Sequence, residues 1–182
     1  MTMRNTPGRY GSVAQTLHWL VVALLVIQFT LGKIAENLPL GPDKLGTLAR
    51  HKSVGITILA LAVMRLAWRS FNPPPPLPPM PRWQVLAARV SHTALYAFLF
   101  AMPLTGWMMS SASNYPVSWF GLVQLPDLVA PDADLKQMLR DTHGFLSNVL
   151  ATLVGVHLLA ALKHQFHDRD GLMFRMLPWR PR

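Results

Sequence analysis

The sequence contains no cysteine. This absence excludes structural disulfides, thiolate metal sites, iron–sulfur clusters and the Cys-x-x-Cys-His route to covalently attached haem. The chain also has no glycine-rich phosphate loop and no Ser/His/Asp arrangement typical of nucleophilic catalysis. Any redox chemistry in this chain therefore requires a cofactor that is held without a covalent bond.

Charged residues are scarce, at 14% of 182 residues, whereas 51% of the residues are hydrophobic. A typical soluble domain has about 25% charged residues. Only 8 aspartates and glutamates accompany 17 lysines and arginines, so the formal net charge is +9. A positive charge of this size favours binding to nucleic acid or to anionic lipid, and the distribution of the charges along the chain decides between these two partners.

Four segments are apolar enough to cross a membrane, and with their flanks they cover residues 14–32, 51–70, 88–110 and 142–164. A span needs about 20 residues, which the first two reach only when flanking histidine, arginine and tryptophan are counted at the interfaces. The first segment is not interpreted as a signal peptide, because no small-residue cleavage site follows it and three more spans do. We predict one all-α membrane domain over residues 1–182, folded as a four-helix bundle.

Positive charge is concentrated on one side of these spans. If the N-terminus is inside, the inner segments carry eleven basic and two acidic residues, whereas the six basic and six acidic residues of the outer loops cancel. The positive-inside rule then predicts that both termini are cytoplasmic, and nucleic acid is not needed to explain the charge. The inner basic residues are Arg4, Arg9, Arg65, Arg69, Arg82, Arg89, Lys163, Arg169, Arg175, Arg180 and Arg182.

Two connections between the spans have distinctive sequences. Residues 72–81, NPPPPLPPMP, cannot continue a helix and predict a stiff inner linker, with a ligand for proline-recognition domains as the alternative. The outer loop, residues 110–139, carries Tyr115, Trp119 and Phe120. These aromatic residues are expected to be interface anchors or part of a lid over the outer mouth of the bundle.

Four histidines lie at two matched depths in this topology. His143 and His157 are fourteen residues apart on the fourth span, so they point the same way to within about 40° and are separated by about 21 Å along a helix axis. His51 begins the second span at the outer depth of His143. His18 lies near the inner start of the first span, at the depth of His157. Each depth thus offers two imidazoles from different helices, as six-coordinate haem iron needs.

A histidine near the end of a span has several common roles. Taken singly, it is more often an interfacial or helix-bridging residue than a ligand, but four histidines at two depths favour ligation. Zinc or copper would need three or four ligands that converge on one point, which placement in two pairs argues against. Gly55, Gly144 and Gly155 lie close to the histidines in sequence, where they would admit a flat macrocycle or simply allow close helix packing.

Three further histidines lie on the inner side. His92 begins the third span at about the depth of His18, and is either a competing ligand or a hydrogen-bond donor to a propionate or a quinone. His164 lies two turns beyond His157 and is a candidate for quinone contact or proton exchange, with a plain interfacial role as the alternative. His167 is expected to be solvated.

Three basic residues complete the polar set. Arg65, near the inner end of the second span, is expected to snorkel or to pair with a haem propionate. Arg50 and Lys52 flank His51 at the outer face, where they would bind propionates or attract an anionic substrate. For Lys52 an ordinary role at the membrane edge is preferred.

The chain resembles the bacterial di-haem cytochromes b561, which are themselves similar to the cytochrome b subunits of formate dehydrogenases and hydrogenases. The resemblance covers nearly the whole chain. It rests on LHW at residues 17–19, RHKSVGI at 50–56 followed by MRLAWR, SHTALYAFLFAMPLTGW at 91–107, THG at 142–144, GVHLLAALKHQF at 155–166 and the closing RMLP.

This resemblance implies a four-helix bundle in the bacterial inner membrane that holds two non-covalent b haems. Matched by motif, the inner haem iron would be bound by His18 and His157. The outer haem iron would be bound by His51 and His143, in agreement with the depth argument.

The resemblance also implies a function. Short members of the family without a fused domain include a superoxide oxidase that passes electrons from periplasmic superoxide to ubiquinone, and we expect this activity here. The alternative is a cytochrome b subunit that links a separate dehydrogenase or hydrogenase to quinone, because the chain has no flavin or nicotinamide motif of its own. A metal transporter, a third possibility, would show no Soret absorbance.

Overall fold

The structure is a computed structural model that describes residues 2–177. Met1 and residues 178–182, which include Arg180 and Arg182 of the predicted inner charge, lie outside the described residues. Four long helices account for most of the described chain. They are α1 (Ser12–Asn37), α2 (Pro42–Phe71), α3 (Arg82–Ala112) and α4 (Ala133–Lys163).

Shorter elements follow α3 and α4. Strands β1 (Ser118–Trp119) and β2 (Val123–Gln124) pair antiparallel in the loop between α3 and α4. A π-helical turn, His164–Asp168, continues α4, and a 3₁₀ turn, Met173–Arg175, lies near the C-terminus.

Local sequence explains where the helices start and stop. Pro42 opens α2 because the first helical turn needs no N–H there, and Asp43 complements the positive end of the helix dipole. Asp132 caps α4 by accepting a 2.8 Å hydrogen bond from the Leu135 backbone N–H. The proline run ends α2 at Phe71, since proline cannot donate to the helical ladder.

All four helices are long and apolar enough to cross a membrane. The predicted spans 14–32, 51–70 and 88–110 lie within α1, α2 and α3, and span 142–164 lies within α4 and the first residue of the π turn. The prediction of an all-α chain built on four apolar helices is therefore confirmed.

The helices pack as two pairs. α1 packs mainly on α2 and α3 mainly on α4, and contacts between α2 and α3 join the two pairs. The core lies among the first three helices and consists of Val21, Val54, Ile58, Leu61, Ala62 and Leu99. Many other apolar side chains point outward, where lipid replaces water as the neighbour and their exposure is not costly.

One end of the bundle gathers the N-terminal segment, the proline linker and the C-terminal segment. The Asn5 amide donates to the carbonyls of Asn72 and Pro73, both at 3.0 Å. The Tyr10 backbone N–H donates to the Arg175 carbonyl, and the Arg175 guanidinium donates to the Pro76 carbonyl at 2.6 Å. The described parts of both terminal segments therefore lie at the same end as the linker.

The opposite end is covered by the loop between α3 and α4. The Phe120 backbone N–H donates to Ser53 Oγ at 2.9 Å, and Trp119 Nε1 donates to Thr57 Oγ1 at 3.1 Å. Phe120 and Gly121 both have positive φ, 50° and 74°, as tight hairpin turns require. The hairpin thus lies on α2 like a lid, with Trp119 packed inward and Tyr115 exposed.

Candidate cofactor sites

The structure brings two predicted outer ligands together, one from each helix pair. The ring centroids of His51 on α2 and His143 on α4 are 6.4 Å apart, and the ring planes are inclined by 73°. Two imidazoles on opposite sides of one metal, each bonded at about 2 Å, have centroids about 6 Å apart. The spacing of this pair fits one iron between the rings.

The hydrogen bonds of α3 fix the tautomer of His143. Thr105 Oγ1 donates its single proton to a backbone carbonyl of its own helix, at Ala101 (2.8 Å) or Met102 (3.0 Å). Its oxygen lies 3.0 Å from His143 Nδ1, so it accepts from that nitrogen. With the proton held on Nδ1, Nε2 of His143 carries the lone pair that a metal needs.

His51 has a polar neighbour on α1. Gln28 Nε2 lies 3.0 Å from His51 Nε2, while His51 Nδ1 and Gln28 Oε1 are buried without a hydrogen-bond partner in the described chain. A buried polar atom without a partner costs about 1–3 kcal/mol. A metal bond to Nδ1 would relieve the cost at that atom, whereas ligation through Nε2 would leave Nδ1 without a described partner and would require the Gln28 amide to turn away.

Glycines from three helices surround this outer pair. A Cβ added to Gly106 on α3 would lie 3.2 Å from His143 Cε1, and one on Gly32 of α1 would lie 3.4 Å from His51 Cε1. A Cβ added to Gly55 of α2 would lie 3.3 Å from Gln28 Nε2. These bare backbone positions form a cradle that side chains would fill, as a flat macrocycle needs.

The glycines predicted from the sequence only partly coincide with this cradle. Gly55 belongs to it, whereas a Cβ added to Gly144 or Gly155 would meet no atom within 4 Å in the described chain. Sequence patterns did not identify Gly32 or Gly106. Gly32 follows the polar Gln28 by one turn on the same face of α1, which is a signal that could have identified it.

The inner side holds three histidines rather than two. The rings of His92 on α3 and His157 on α4 are 5.4 Å apart and inclined by 67°. His18 on α1 lies close enough to both for electrostatic interaction, and its Nδ1 is buried without a described partner. His92 meets His157 because α3 is the packing neighbour of α4. The described structure therefore places His92 against His157, and the Nδ1 atom of His18, buried without a described partner, is available to a ligand.

Two arginines next to this inner group share one tyrosine. Arg65 and Arg69 lie one turn apart on α2, with guanidinium carbons 5.3 Å and 5.4 Å from the centroid of Tyr96. The charge of Arg65 acts on both His18 and His157. Arg69 was not among the site residues predicted from the sequence, although its spacing of four residues from Arg65 places it on the same face.

Neither Arg65 nor Arg69 forms an ion pair with a carboxylate of the described chain. The side-chain ion pairs among residues 2–177 involve only Lys33, Lys163 and His164 as the basic partners. Burial raises the pKa of the Tyr10 phenol, which lies near both arginines, so this group stays neutral near pH 7 and cannot compensate them. Intramembrane cations are costly when unpaired, and a propionate carboxylate is an anion of suitable chemistry for this cluster.

At the end predicted to be outer, the Lys52 side chain binds the start of the loop between α3 and α4. Its ammonium donates to Ser110 Oγ at 3.0 Å and to the Pro116 carbonyl at 3.3 Å, and it lies 4.7 Å from the Tyr115 ring centroid. This supports an ordinary structural role for Lys52, as an anchor of the lid. Arg50 is exposed at the same end.

At the inner end, His164 begins the π turn and lies 2.6 Å from an Asp170 oxygen and 3.2 Å from an Asp168 oxygen. These three residues are the one cluster of three candidate metal ligands in the described part of the chain. The four predicted iron ligands do not converge on one point, which disfavours a zinc or copper centre within the membrane. His167 is exposed, as expected.

A family model described as prokaryotic cytochrome b561 matches residues 9–179. The chain belongs to this family. The resemblance inferred from the sequence motifs is thereby confirmed. Membership identifies the chain as a bacterial membrane protein of transmembrane electron transfer, and implies b-type haem.

Relatives from two organisms can be aligned with this chain over almost their full length. Cytochrome b561 homolog 2 of Escherichia coli (strain K12) is 35% identical over 97% of this chain and 95% of its own. Cytochrome b561 homolog 1 of the same organism is 28% identical over 95% of this chain and 99% of its own. The Probable superoxide oxidase CybB of Yersinia pestis is 29% identical over 93% of this chain and 96% of its own.

Proposed function

We propose that this cytochrome b561 passes electrons from superoxide at the outer face of the bacterial inner membrane to ubiquinone at the inner face. Two haem b groups would be held by four histidines. His51 and His143 would bind the outer iron, and the 6.4 Å approach of their rings is the observation that carries the proposal. His18 and His157 would bind the inner iron.

When bound, haem iron supplies reversible one-electron chemistry. The chain's own residues supply position and environment. Thr105 keeps the proton of His143 on Nδ1, and Arg65 and Arg69 would hold the haem propionates by their positive charge. The hairpin lid, which Trp119 and Ser53 hold against α2, would limit access of water to the outer histidines.

Two features support superoxide as the donor. A relative that is 29% identical over most of both chains is named a probable superoxide oxidase. The outer end also carries Arg50 next to His51 in sequence, which is exposed and forms no ion pair within residues 2–177, and positive charge there would attract a small anion.

The experiment that tests this function is rapid mixing of the purified, oxidised protein with superoxide, followed at the Soret band. The absorption bands of reduced haem should appear after mixing with superoxide and should decay when ubiquinone is added. The second-order rate should fall by about threefold or more between low salt and about 0.5 M salt, since screening removes the attraction. Arg50→Gln should lower the low-salt rate as well, whereas Lys33→Gln, which removes a charge already paired with Glu36, should not.

A different experimental result would contradict each part of the proposal. A haem-loaded protein that dithionite reduces but superoxide does not would exclude superoxide as the donor. Absence of any Soret absorbance would exclude electron transfer through haem. Activity that appears only with a co-purified dehydrogenase or hydrogenase, after extraction in mild detergent, would assign the chain to the alternative role of a quinone-linked subunit.

The arginine pair leads to a separate prediction for the inner haem. Replacing both Arg65 and Arg69 with glutamine should lower the midpoint potential of one haem, because the lost positive charges stabilise the reduced form. The expected shift is about 60 mV or more, which is a tenfold change in a one-electron equilibrium. A spectroscopic redox titration measures it.

The matched control for this pair is the double variant Arg82→Gln and Arg89→Gln. These residues are exposed on α3 near the same end of the bundle and make no cation–π contact with Tyr96 in the described structure. The control should leave both potentials within about 20 mV of wild type, since exposed charges are screened. Equal shifts in the two double variants would contradict a specific role for Arg65 and Arg69.

A further inference from the structure

The chain reverses direction immediately after α4 and places a carboxylate on His164. Residues His164–Asp168 form a π-helical turn, and Arg169 then adopts a left-handed conformation with φ of 52°. This reversal returns Asp170 to His164, where Asp170 Oδ2 lies 2.6 Å from Nδ1. A non-glycine residue in this region is uncommon and costs about 1 kcal/mol or more, so the surrounding contacts hold the turn in place.

The two aspartates of this turn have different partners. Both oxygens of Asp168 accept from the Lys163 ammonium, at 2.8 and 2.5 Å, and Oδ2 is 3.2 Å from His164 Nδ1. Asp170 makes the shorter contact with the imidazole, and its Oδ1 accepts from the Leu172 backbone N–H at 2.9 Å. Asp170 is thus fixed through both oxygens and directed at His164, whereas Asp168 is neutralised by a lysine.

This arrangement assigns the two ring nitrogens of His164. A carboxylate that accepts a hydrogen bond at Nδ1 keeps a proton on that nitrogen. Proton exchange is then left to Nε2, which makes no hydrogen bond within residues 2–177. The His164 side chain is 15% exposed, so it has limited access to water at the membrane edge.

His164 also lies near the proposed end of the electron path. It follows His157 by seven residues, which is about 10 Å along a helix and nearly the same direction around the axis. Reduction of a quinone to a quinol consumes two electrons and two protons, and both carbonyl oxygens become hydroxyls. Quinone reduction on this side therefore needs a source of protons, and His164 lies where a side chain could supply them.

We propose that Asp170 is the positioning residue for proton delivery to the quinone. It holds Nδ1–H of His164, so that the charged imidazole gives its Nε2 proton to a quinone oxygen and becomes neutral. Water at the inner face then returns a proton to Nε2. The charged and titratable neighbours on this turn are Lys163, His167, Asp168, Arg169 and Asp170. This inference rests on the proposed function, because it assumes quinone reduction at the inner end.

The test compares Asp170→Asn with Asp168→Asn in the haem-loaded, full-length protein. Both haems are first reduced with dithionite, and their reoxidation by a short-chain ubiquinone is followed in H₂O and in D₂O. Asp170→Asn should keep the haem spectrum, slow reoxidation about tenfold and enlarge the solvent isotope effect, because proton transfer becomes limiting. Asp168→Asn should change the rate less than about twofold.

Two further variants guard against a purely structural explanation. His164→Gln should slow reoxidation at least as much as Asp170→Asn, and Asp170→Glu should recover part of the rate. Reoxidation of Asp170→Asn at the wild-type rate, or equal slowing in Asp168→Asn, would overturn the role of Asp170 while leaving the proposed function intact. A wild-type protein whose reduced haems are not oxidised by ubiquinone would overturn both.

Discussion

Replacing His143 with alanine should remove the outer haem and leave the inner haem in place. The ring of His143 is half of the outer pair, and without it the outer iron would keep only one of its two proposed protein ligands. The haem-to-protein ratio should fall by about half, and a redox titration should show one wave where two are expected for the wild type. His157→Ala should give the complementary result, with the inner wave lost and the outer wave kept.

Three comparison variants make this test specific. His167→Ala, at an exposed inner position, should keep both haems. His18→Ala should lose the inner haem, whereas His92→Ala should retain it with a shifted potential, since His92 touches His157 without being the proposed ligand. If His143→Ala or His157→Ala kept both haems at full occupancy, the assignment of two layers would be wrong. Loss of the inner haem in His92→Ala but not in His18→Ala would exchange the roles of these two residues.

The outer pair could be predicted from the sequence because depth alone defines it. Hydropathy sets where each span begins, the charge distribution predicts its direction, and His51 and His143 both begin spans at the side predicted to be outer. The inner ligand set is harder, because His18 and His92 begin spans at the same depth. Which of them faces His157 depends on which helices are neighbours, and no periodicity within one helix contains that information.

The cradle and the proton-delivery turn could not be predicted for a different reason. Whether Gly106 faces a histidine depends on the rotation of α3 relative to α4, which is set by packing. The contact between His164 and Asp170 depends on a π turn and a left-handed Arg169, and both break the helical numbering on which spacing arguments rest. Arg65, by contrast, was recognisable as an ionisable residue within an apolar span.

A leucine at Gly106 should abolish outer haem binding almost as completely as the loss of His143. The first added carbon alone would lie 3.2 Å from His143 Cε1, which is closer than side-chain carbons normally approach, and 3.6 Å from Nδ1, which is an ordinary contact. Leucine favours the helix over glycine by about 1 kcal/mol, so α3 itself should not be weakened. The side chain would instead displace the imidazole from Thr105, and outer haem occupancy should fall to about one-fifth or less, as measured by the haem-to-protein ratio and the redox titration.

The control for this substitution is Gly46→Leu on α2. Gly46 is also a helical glycine near the outer end, but a Cβ there would meet only the flexible end of Arg50, at 3.8 Å. That variant should retain both haems, and Gly106→Ala should show an intermediate loss because only one carbon is added. Full outer occupancy with an unchanged potential in Gly106→Leu would mean that the space beside His143 is not needed by the cofactor. The glycine cradle would then be a feature of helix packing alone, and the outer site would rest on its two imidazoles.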